Sequence, residues 1–471
     1  MVEVEKSRIL EMLSEQSFSF LNQGPLKAAA FGPDFHFGVA ISATQNEGAA
    51  TIDGRSPSIW DVYARRKGVI RNKAKPTVTC DFYHRYKDDL LLVKALGFSC
   101  FRFSISWSRI LPDGTGKANV AGINFDNDVI NECLRLGLIP FVTLYHWDLP
   151  QVLQQEGGWA SPLINRWFRH FVKICAKAFG NRVKYWLVLN EPVGFTSLGY
   201  MLGKHAPGKR NLEQFLKTVH HAAIAQAEGG HVLRELVPNA QIGTCFSCSE
   251  IVPYTSKPAD LSAARRIDLL INRLFIEPLL GKGFPEDDKG LMDKMARQNL
   301  SWRFTERMQF DMDFIGLQNY FPLVIRHNPF MPFVQASVVK ASSRKVPFTS
   351  LDWEINPGSF LQIIKRFWKY GGIREIMITE NGAAFKDRFS QGRINDTERI
   401  DYFKSHLSAL LQAKKEGVNL KGYFAWTLMD NFEWAEGFDA RFGLVHVDFN
   451  TQLRTVKNSG YWWRDFLNSY S

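Results

Sequence analysis

The chain contains 471 residues with a formal net charge of +11, and 45% of its residues are hydrophobic and 22% charged. These proportions are close to those of ordinary globular proteins and exclude a disordered, collagen-like or low-complexity chain. Length alone suggests about three domains, but an α/β barrel of this size can form a single core from eight repeated units. The lysines and arginines are scattered, and short basic runs such as Arg65-Arg66-Lys67 lack interleaved aromatic residues. We therefore predict solvated surface charge and no nucleic-acid partner.

Signals for secretion, membrane insertion and disulfide bonding are absent from the sequence. The chain starts Met-Val-Glu-Val-Glu-Lys without a basic segment leading into an apolar one, and no run of 18 apolar residues occurs. A cytoplasmic, soluble protein with no membrane partner is predicted. Six cysteines in so long a chain indicate reduced, mostly buried thiols. The run Cys245-Phe-Ser-Cys248 has no second ligand pair at zinc-finger spacing, so no metal site is predicted.

The predicted elements start with an N-terminal extension, residues 1–30, in which residues 6–22 have helical spacing. From residue 37 onward, short β-rich runs alternate with longer amphipathic stretches, the pattern of parallel strands joined by helices. The predicted strands are 37–43, 100–107, 139–146, 185–191, 241–247, 314–320, 375–380 and 423–428. Eight strands close a barrel with a filled interior, so residues 31–471 are predicted to form one (β/α)₈ domain, a TIM barrel with elaborated loops.

The connections contain helices and one long loop. Helices are predicted at 88–96 and 401–416, each followed by a glycine that suits a helix C-cap, Gly97 and Gly417. The longest irregular stretch is predicted at 322–357, too long for a simple connection and therefore expected to shape the site.

Polar and aromatic residues end several predicted strands. They are Arg102, His146, Trp147, Asn190, Glu191, Asn319, Tyr320, Glu380, Asn381 and Trp426. In a (β/α)₈ barrel the carboxyl ends of the strands form the face that carries chemistry, so these side chains should converge. Two carboxylates at one mouth suit glycoside cleavage, in which one protonates the leaving oxygen and the other faces the developing oxocarbenium ion. Pro192 restrains Glu191, and Arg102 is expected to keep Glu380 ionised, which favours Glu191 as acid and Glu380 as nucleophile. Retention and inversion are not distinguished by these residues alone.

Many separated motifs carry a resemblance to a known family. They are Gln45-Asn46-Glu47-Gly48, Cys80-Asp81-Phe82-Tyr83-His84-Arg85-Tyr86, Phe101-Arg102-Phe103-Ser104-Ile105-Ser106-Trp107, Tyr145-His146-Trp147-Asp148-Leu149-Pro150, Leu189-Asn190-Glu191-Pro192, Ile378-Thr379-Glu380-Asn381-Gly382 and Asp430-Asn431-Phe432-Glu433-Trp434. With these motifs in family order, the chain resembles glycoside hydrolase family 1, the β-glucosidase family, from about residue 31 to residue 463.

The resemblance implies a retaining β-glycosidase without a metal or organic cofactor, acting on a small-molecule β-glycoside. Glu191 would be the acid/base and Glu380 the nucleophile, with Arg102, Asn190 and Tyr320 supporting catalysis. The residues that would contact the substrate are Gln45, His146, Asn190, Glu433 and Trp434 at the sugar hydroxyls, Trp426 beneath the ring, and Trp353 on the leaving-group side.

The chain departs from the family pattern at a few positions. Gln318 stands where Asn is usual, although its longer amide is expected to reach the 2-hydroxyl; Val188 replaces a common Thr, and Asp126 a common Tyr. We predict that Trp107, His84 and Tyr86 lie in the core or behind the site rather than bind substrate, because aromatic residues of strands usually pack.

Three alternative functions are open. A 6-phospho-β-glycosidase would share the fold, but Glu433 would repel a 6-phosphate. A catalytically silent sugar-binding relative would typically lack a catalytic glutamate, and transglycosylation differs from hydrolysis only in the acceptor. Glucose, galactose and fucose all remain candidate sugars.

Overall fold

The structure is a computed structural model that describes residues 26–285, 306–390 and 392–468. Eight parallel strands form one closed barrel in chain order, which confirms the predicted fold. The barrel strands are His36–Ala40, Cys100–Ser104, Ile139–Tyr145, Tyr185–Asn190, Gln241–Ser247, Phe314–Gln318, Ile376–Asn381 and Leu420–Trp426. The helix predicted at 6–22 lies outside the described residues.

Each barrel strand is followed by a longer α-helix. These helices are Phe82–Ala95, Val120–Arg135, Ile164–Phe179, Leu212–Leu236, Pro258–Asp268, Pro357–Trp368, Thr397–Lys415 and Asn458–Asn468. Shorter α-helices are Ala43–Asn46, Ile59–Tyr63, Trp107–Ile110, Gln151–Gln155, Pro192–Thr196 and Ile276–Leu279. Gly97 and Gly417 follow their helices with φ of +84° and +93°, the left-handed conformation that a C-cap glycine supplies.

The barrel strands are almost wholly buried, because helices cover their outer faces and side chains fill the interior. Inside the barrel, Phe141 stacks on Tyr185 with ring centroids 4.2 Å apart and contacts Phe424 at 4.7 Å. The apolar filling comes mainly from the first halves of the strands and includes Cys100 and Phe314. Polar side chains are therefore left to gather at the carboxyl ends.

The prediction of an irregular stretch at 322–357 is wrong. Leu323–His327 pairs with Ala336–Val338 and with Ile251–Pro253 in a separate three-stranded sheet. The sheet packs on the helix Pro258–Asp268 through Ala263 and Ile325. The partner strand lies about 70 residues earlier in the chain, so local sequence patterns do not reveal the pairing. Two further hairpins pair Arg388–Ser390 with Arg393–Asn395 and Val445–Val447 with Arg454–Val456.

The six cysteines are all free and buried, as the sequence predicts. Among the described residues, none of the helices combines the length and apolar character needed to cross a bilayer.

A buried ion-pair network joins the segments that follow the last two barrel strands. Asp387, Asp430 and His446 bring potential ligand atoms within 4.8 Å of one another. Lys457 forms ion pairs with both carboxylates, and its Nζ lies 2.9 Å from Asp387 and 2.8 Å from Asp430. Arg441 adds a second cation 3.3 Å from Asp430. Because two fixed cations neutralise the carboxylates, we interpret the group as structural.

We expect Lys457→Met to lower the free energy of unfolding by about 3–5 kcal/mol, because it leaves a buried carboxylate pair without its main cation. Lys457 and Asp430 are both fully buried, so water cannot replace the lost contact. Urea unfolding followed by circular dichroism would measure the change, with exposed Lys369→Met as the matched control. Equal stability of both variants would contradict the structural role.

Candidate active site

Asn190 ends the fourth barrel strand, and Glu191 follows with φ of +45°, directly before the helix Pro192–Thr196. Proline suits the first turn of a helix, where its missing N–H costs nothing. The Glu191 backbone N–H donates to the Cys245 carbonyl on the neighbouring strand, at 3.0 Å. The turn therefore holds Glu191 at the carboxyl end of the barrel.

Glu380, near the end of the seventh strand, is 4% exposed and has two polar partners. Arg102 donates from Nη1 to Glu380 Oε1 at 2.6 Å, and the Tyr320 hydroxyl donates to Oε2 at 2.8 Å. Arg102 also donates from Nη2 to Asn190 Oδ1 at 2.6 Å. One guanidinium thus ties the carboxylate on the seventh strand to the residue that precedes Glu191.

The two carboxyl groups have different surroundings, and these give them different protonation states. Burial, and after it the negative charge of Glu380, raise the pKa of Glu191 to about 8. Burial also raises the pKa of Glu380, but the Arg102 charge and the hydrogen bonds from Arg102 and Tyr320 oppose the shift. The first negative charge of the pair therefore belongs on Glu380, beside the cation, while Glu191 keeps its proton.

A second polar group surrounds Glu433, after the eighth strand. Gln45 donates from Nε2 to Glu433 Oε2 and to Asn431 Oδ1, both at 3.3 Å. Burial and the charge of Glu380 raise the pKa of Glu433 to about 8, while hydrogen bonds with Trp426 and Gln45 lower it. An amide and a carboxyl side by side offer both donors and acceptors to neighbouring hydroxyls.

His146 lies between two indoles, its ring centroid 6.0 Å from Trp426 and 6.0 Å from Trp434. Its Nε2 contacts Asn190 Nδ2 at 3.1 Å, and its Nδ1 has no hydrogen-bond partner among the described residues. Burial holds the pKa of His146 well below its usual range, with the Arg102 charge adding to the effect. The imidazole is therefore neutral and can bind a hydroxyl.

Trp353 stands at the edge of the site, partly exposed. Its ring stacks on Phe321 at 4.6 Å and lies 5.5 Å from Tyr320 and 5.8 Å from Phe442. Trp353 therefore lies beside Tyr320, the partner of Glu380, where it can contact the part of a ligand that leaves.

Gln318 and Asn431 also lie in the site. The sequence suggests a contact with the substrate only for Gln318. Gln318 donates from Nε2 to Asn190 Oδ1 at 2.7 Å, and its Oε1 is buried without a partner in the described chain. Asn431 Nδ2 is buried next to Gln45 and has no hydrogen-bond partner among the described residues. Asn431 belongs to one of the quoted motifs, so its position between Asp430 and Glu433 was the available signal.

Three aromatic residues make their contacts outside the site, namely Trp107, His84 and Tyr86. Trp107 is fully buried and donates from its indole to the Gly114 carbonyl at 3.1 Å. The expectation that His84 lies in the core or behind the site is wrong: His84 is exposed and bonds Asp81 at 2.6 Å. It lies in the first turn of the helix Phe82–Ala95, whose buried residues include Phe82 and Asp89.

The barrel mouth thus holds one buried and one partly buried carboxyl group whose surroundings differ, ringed by amides, an imidazole and indoles. These features define a glycoside-cleaving enzyme of the (β/α)₈ class. Residues 27–470 match the model of glycosyl hydrolase family 1. The chain belongs to this family, and it is an O-glycosyl hydrolase.

Characterised relatives cover nearly the whole chain. Beta-glucosidase A of Thermotoga maritima is 40% identical over 444 residues, 93% of this chain and 98% of the relative. Beta-glucosidase A of Acetivibrio thermocellus is 38% identical over 446 residues, 93% and 98% of the two chains. The 6-phospho-beta-galactosidase of Clostridium acetobutylicum is 33% identical over 459 residues, 92% and 96%.

Solved structures agree with the fold. The Thermotoga maritima beta-glucosidase in complex with deoxynojirimycin superposes with a TM-score of 0.89 at 39% identity, covering 94% of this chain and 99% of that one. The same enzyme in complex with isofagomine lactam also gives 0.89 at 39% identity, covering 93% and 99%. The family resemblance inferred from the motifs is therefore confirmed.

Proposed function

We propose that the protein is a retaining β-glucosidase that removes the nonreducing terminal β-D-glycosyl residue from small glycosides or oligosaccharides. The observation that carries the proposal is the Glu380 carboxylate held by Arg102 and Tyr320 while Glu191 keeps its proton at a pKa raised to about 8. The relatives named beta-glucosidase, and the inhibitor complexes of one of them, support the choice of substrate class.

In the first step, Glu380 attacks the anomeric carbon while Glu191 donates its proton to the glycosidic oxygen, so the C–O bond to the leaving group breaks as the ester forms. Arg102 and Tyr320 orient Glu380 for this attack. In the second step, Glu191 takes a proton from water, and that water displaces Glu380 from the anomeric carbon. Both steps need only proton transfer and carboxylate attack, so we propose no cofactor.

The ring of polar groups is proposed to bind the sugar. Gln45, Glu433 and Trp434 would bind its outer hydroxyls, His146 and Asn190 the hydroxyls nearer the anomeric carbon, and Trp426 the apolar face of the ring. Trp353 would contact the leaving group. Glu433 offers carboxyl oxygens and no cation to a group at this position, which disfavours a 6-phosphate, so the unphosphorylated sugar is proposed as the substrate.

We expect the pH profile of kcat/KM to lose activity as pH rises through the pKa of Glu191, about 8, because only the protonated carboxyl can act as the acid. Glu433 has a similarly raised pKa and is the natural alternative source of this limb. The Glu433→Gln variant should therefore have a lower kcat/KM but keep the alkaline limb. If the alkaline limb disappeared in the Glu433→Gln variant, we would assign this limb to Glu433 instead.

A panel of chromogenic β-glycosides tests the proposed function: glucoside, galactoside, fucoside and glucoside 6-phosphate. We expect the glucoside to be cleaved, with NMR detecting β-glucose as the first product. Turnover of the phosphorylated substrate alone would support a 6-phospho-β-glycosidase, and no turnover a silent sugar-binding protein. A disaccharide product at high glucoside concentration would indicate transglycosylation.

We also propose that residues 31–471 form the hydrolase domain and residues 1–30 an extension that precedes it. A variant starting at residue 27, where the family match begins, should keep the full kcat/KM. The cytoplasmic location stays a prediction, and cell fractionation would test it.

A further inference from the structure

A cavity of about 460 Å³ lies between the helices Ile164–Phe179 and Leu212–Leu236, on the outside of the barrel. The described residues that line it are separate from every residue of the active site. Its size falls within the range of small-molecule sites, about 300–1,000 Å³. The proposed reaction on a neutral glycoside makes no use of it.

The rim of the cavity is cationic. Arg166, Arg169 and Lys173 follow one another at helical spacing on the exposed face of the first of the two helices. Within the described chain, none of these three side chains forms an ion pair, while Arg307 pairs with Glu228 at 2.6 Å. The rim therefore has unneutralised positive charge, which favours an anion able to accept several N–H bonds.

The floor of the cavity is polar and incompletely bonded. Asn165 Oδ1, His220 Nδ1 and Glu228 Oε2 are buried and have no hydrogen-bond partner among the described residues. Burial lowers the pKa of His220 to about 4, with His221 and Arg307 adding to the shift, so the imidazole is neutral. Buried polar atoms without partners are costly, and a polar ligand would satisfy them.

Rim and floor differ in what they accept. The carboxylate oxygen of Glu228 repels an anion at the floor but accepts a hydrogen bond from a hydroxyl, as does the amide oxygen of Asn165. The guanidinium groups of Arg166 and Arg169 suit a phosphate. A ligand that fills both parts has hydroxyls at one end and an anionic group at the other.

We propose that this cavity is a second binding site, for a phosphate monoester of a small polyol or sugar. The phosphate lies on Arg166, Arg169 and Lys173, and the hydroxyls reach Asn165, His220 and Glu228. The site is independent of the proposed hydrolysis at the barrel mouth.

Titration calorimetry with glucose 6-phosphate, glucose and inorganic phosphate tests the proposal on the full-length protein. We expect glucose 6-phosphate to bind at least tenfold more tightly than either fragment, and saturating glucose to leave this binding unchanged. The double variant Arg166→Ala/Arg169→Ala should weaken it at least tenfold. The matched control Arg65→Ala/Lys67→Ala removes two exposed cations elsewhere and should leave the affinity unchanged.

Asn165→Ala should weaken glucose 6-phosphate but not inorganic phosphate, because it changes only the floor. Hydrolysis of a chromogenic glucoside should be unchanged in the Arg166→Ala/Arg169→Ala variant, which also shows that the protein is folded. Competition by glucose, an equal loss in the control variant, equal affinity for inorganic phosphate, or no binding at all would each overturn the proposal. The panel of chromogenic glycosides decides separately whether the protein is a β-glucosidase.

Discussion

Glu380→Gly should lower kcat for glucoside hydrolysis by about 10⁴-fold or more, the scale on which loss of a covalent nucleophile acts. The carboxylate is the partner of both Arg102 and Tyr320, so its removal leaves no group there that can form a glycosyl ester. Initial rates with an activated aryl glucoside would measure the loss. Glu156→Gly, a change at an exposed glutamate just past the helix Gln151–Gln155, is the matched control and should keep full activity.

Azide should restore turnover of the Glu380→Gly variant. The small anion can enter the space that the carboxylate leaves and attack the anomeric carbon from the same side, while Glu191 still protonates the leaving group. The product should be the α-glycosyl azide, which NMR distinguishes from its anomer by the coupling constant of the anomeric proton. A β-glycosyl azide would instead assign the acid/base role to Glu380.

Glu191→Ala should slow hydrolysis by an amount that depends on the leaving group. For a disaccharide or alkyl glucoside, loss of the general acid should cost about 10²–10⁴-fold in kcat/KM. An aryl glucoside with a strongly acidic phenol leaves without protonation, so its kcat/KM should fall far less. The alkaline limb of the pH profile should also disappear, because the group with the raised pKa is gone.

A series of aryl glucosides with phenols of graded acidity would test this assignment. The logarithm of kcat/KM should depend steeply on phenol pKa in Glu191→Ala and shallowly in the unmodified protein. Added azide should accelerate the variant and give the β-glycosyl azide, because Glu380 still forms the glycosyl ester and azide replaces the base-assisted water. Equal slowing across the series would rule Glu191 out as the acid.

The sequence anticipates the strands better than their ends. All eight barrel strands occur close to their predicted positions, and the run 241–247 matches without change. Several others end earlier than predicted, so that His146 and Glu191 follow a strand instead of belonging to it. Alternation of β-rich and amphipathic runs reports that a strand exists, whereas its last residue depends on the pairing of its neighbours.

The hydrogen bonds and pKa shifts within the site could not be predicted in full from the sequence. The sequence suggests that Arg102 is near Glu380, but not that the same guanidinium also bonds Asn190. The sequence likewise suggests that Glu380 is kept ionised. In the structure, burial raises the pKa of both Glu191 and Glu380, and the charged and hydrogen-bonding partners of the two groups make the difference. Desolvation depends on how many atoms surround a group, and these atoms come from every part of the chain.

Period, turn residues and contiguous motifs are local properties of the chain, so the sequence alone predicts the barrel and the family, and it proposes Glu191 and Glu380 as the catalytic pair. Four features become known only once the chain is folded: the pairing of cations with carboxylates, the three-stranded sheet that includes Leu323–His327, the exposed position of His84 and the basic cavity between two outer helices. These features depend on closure of the barrel: Arg102 and Glu380 are 278 residues apart, and they meet because the strands between them complete a ring.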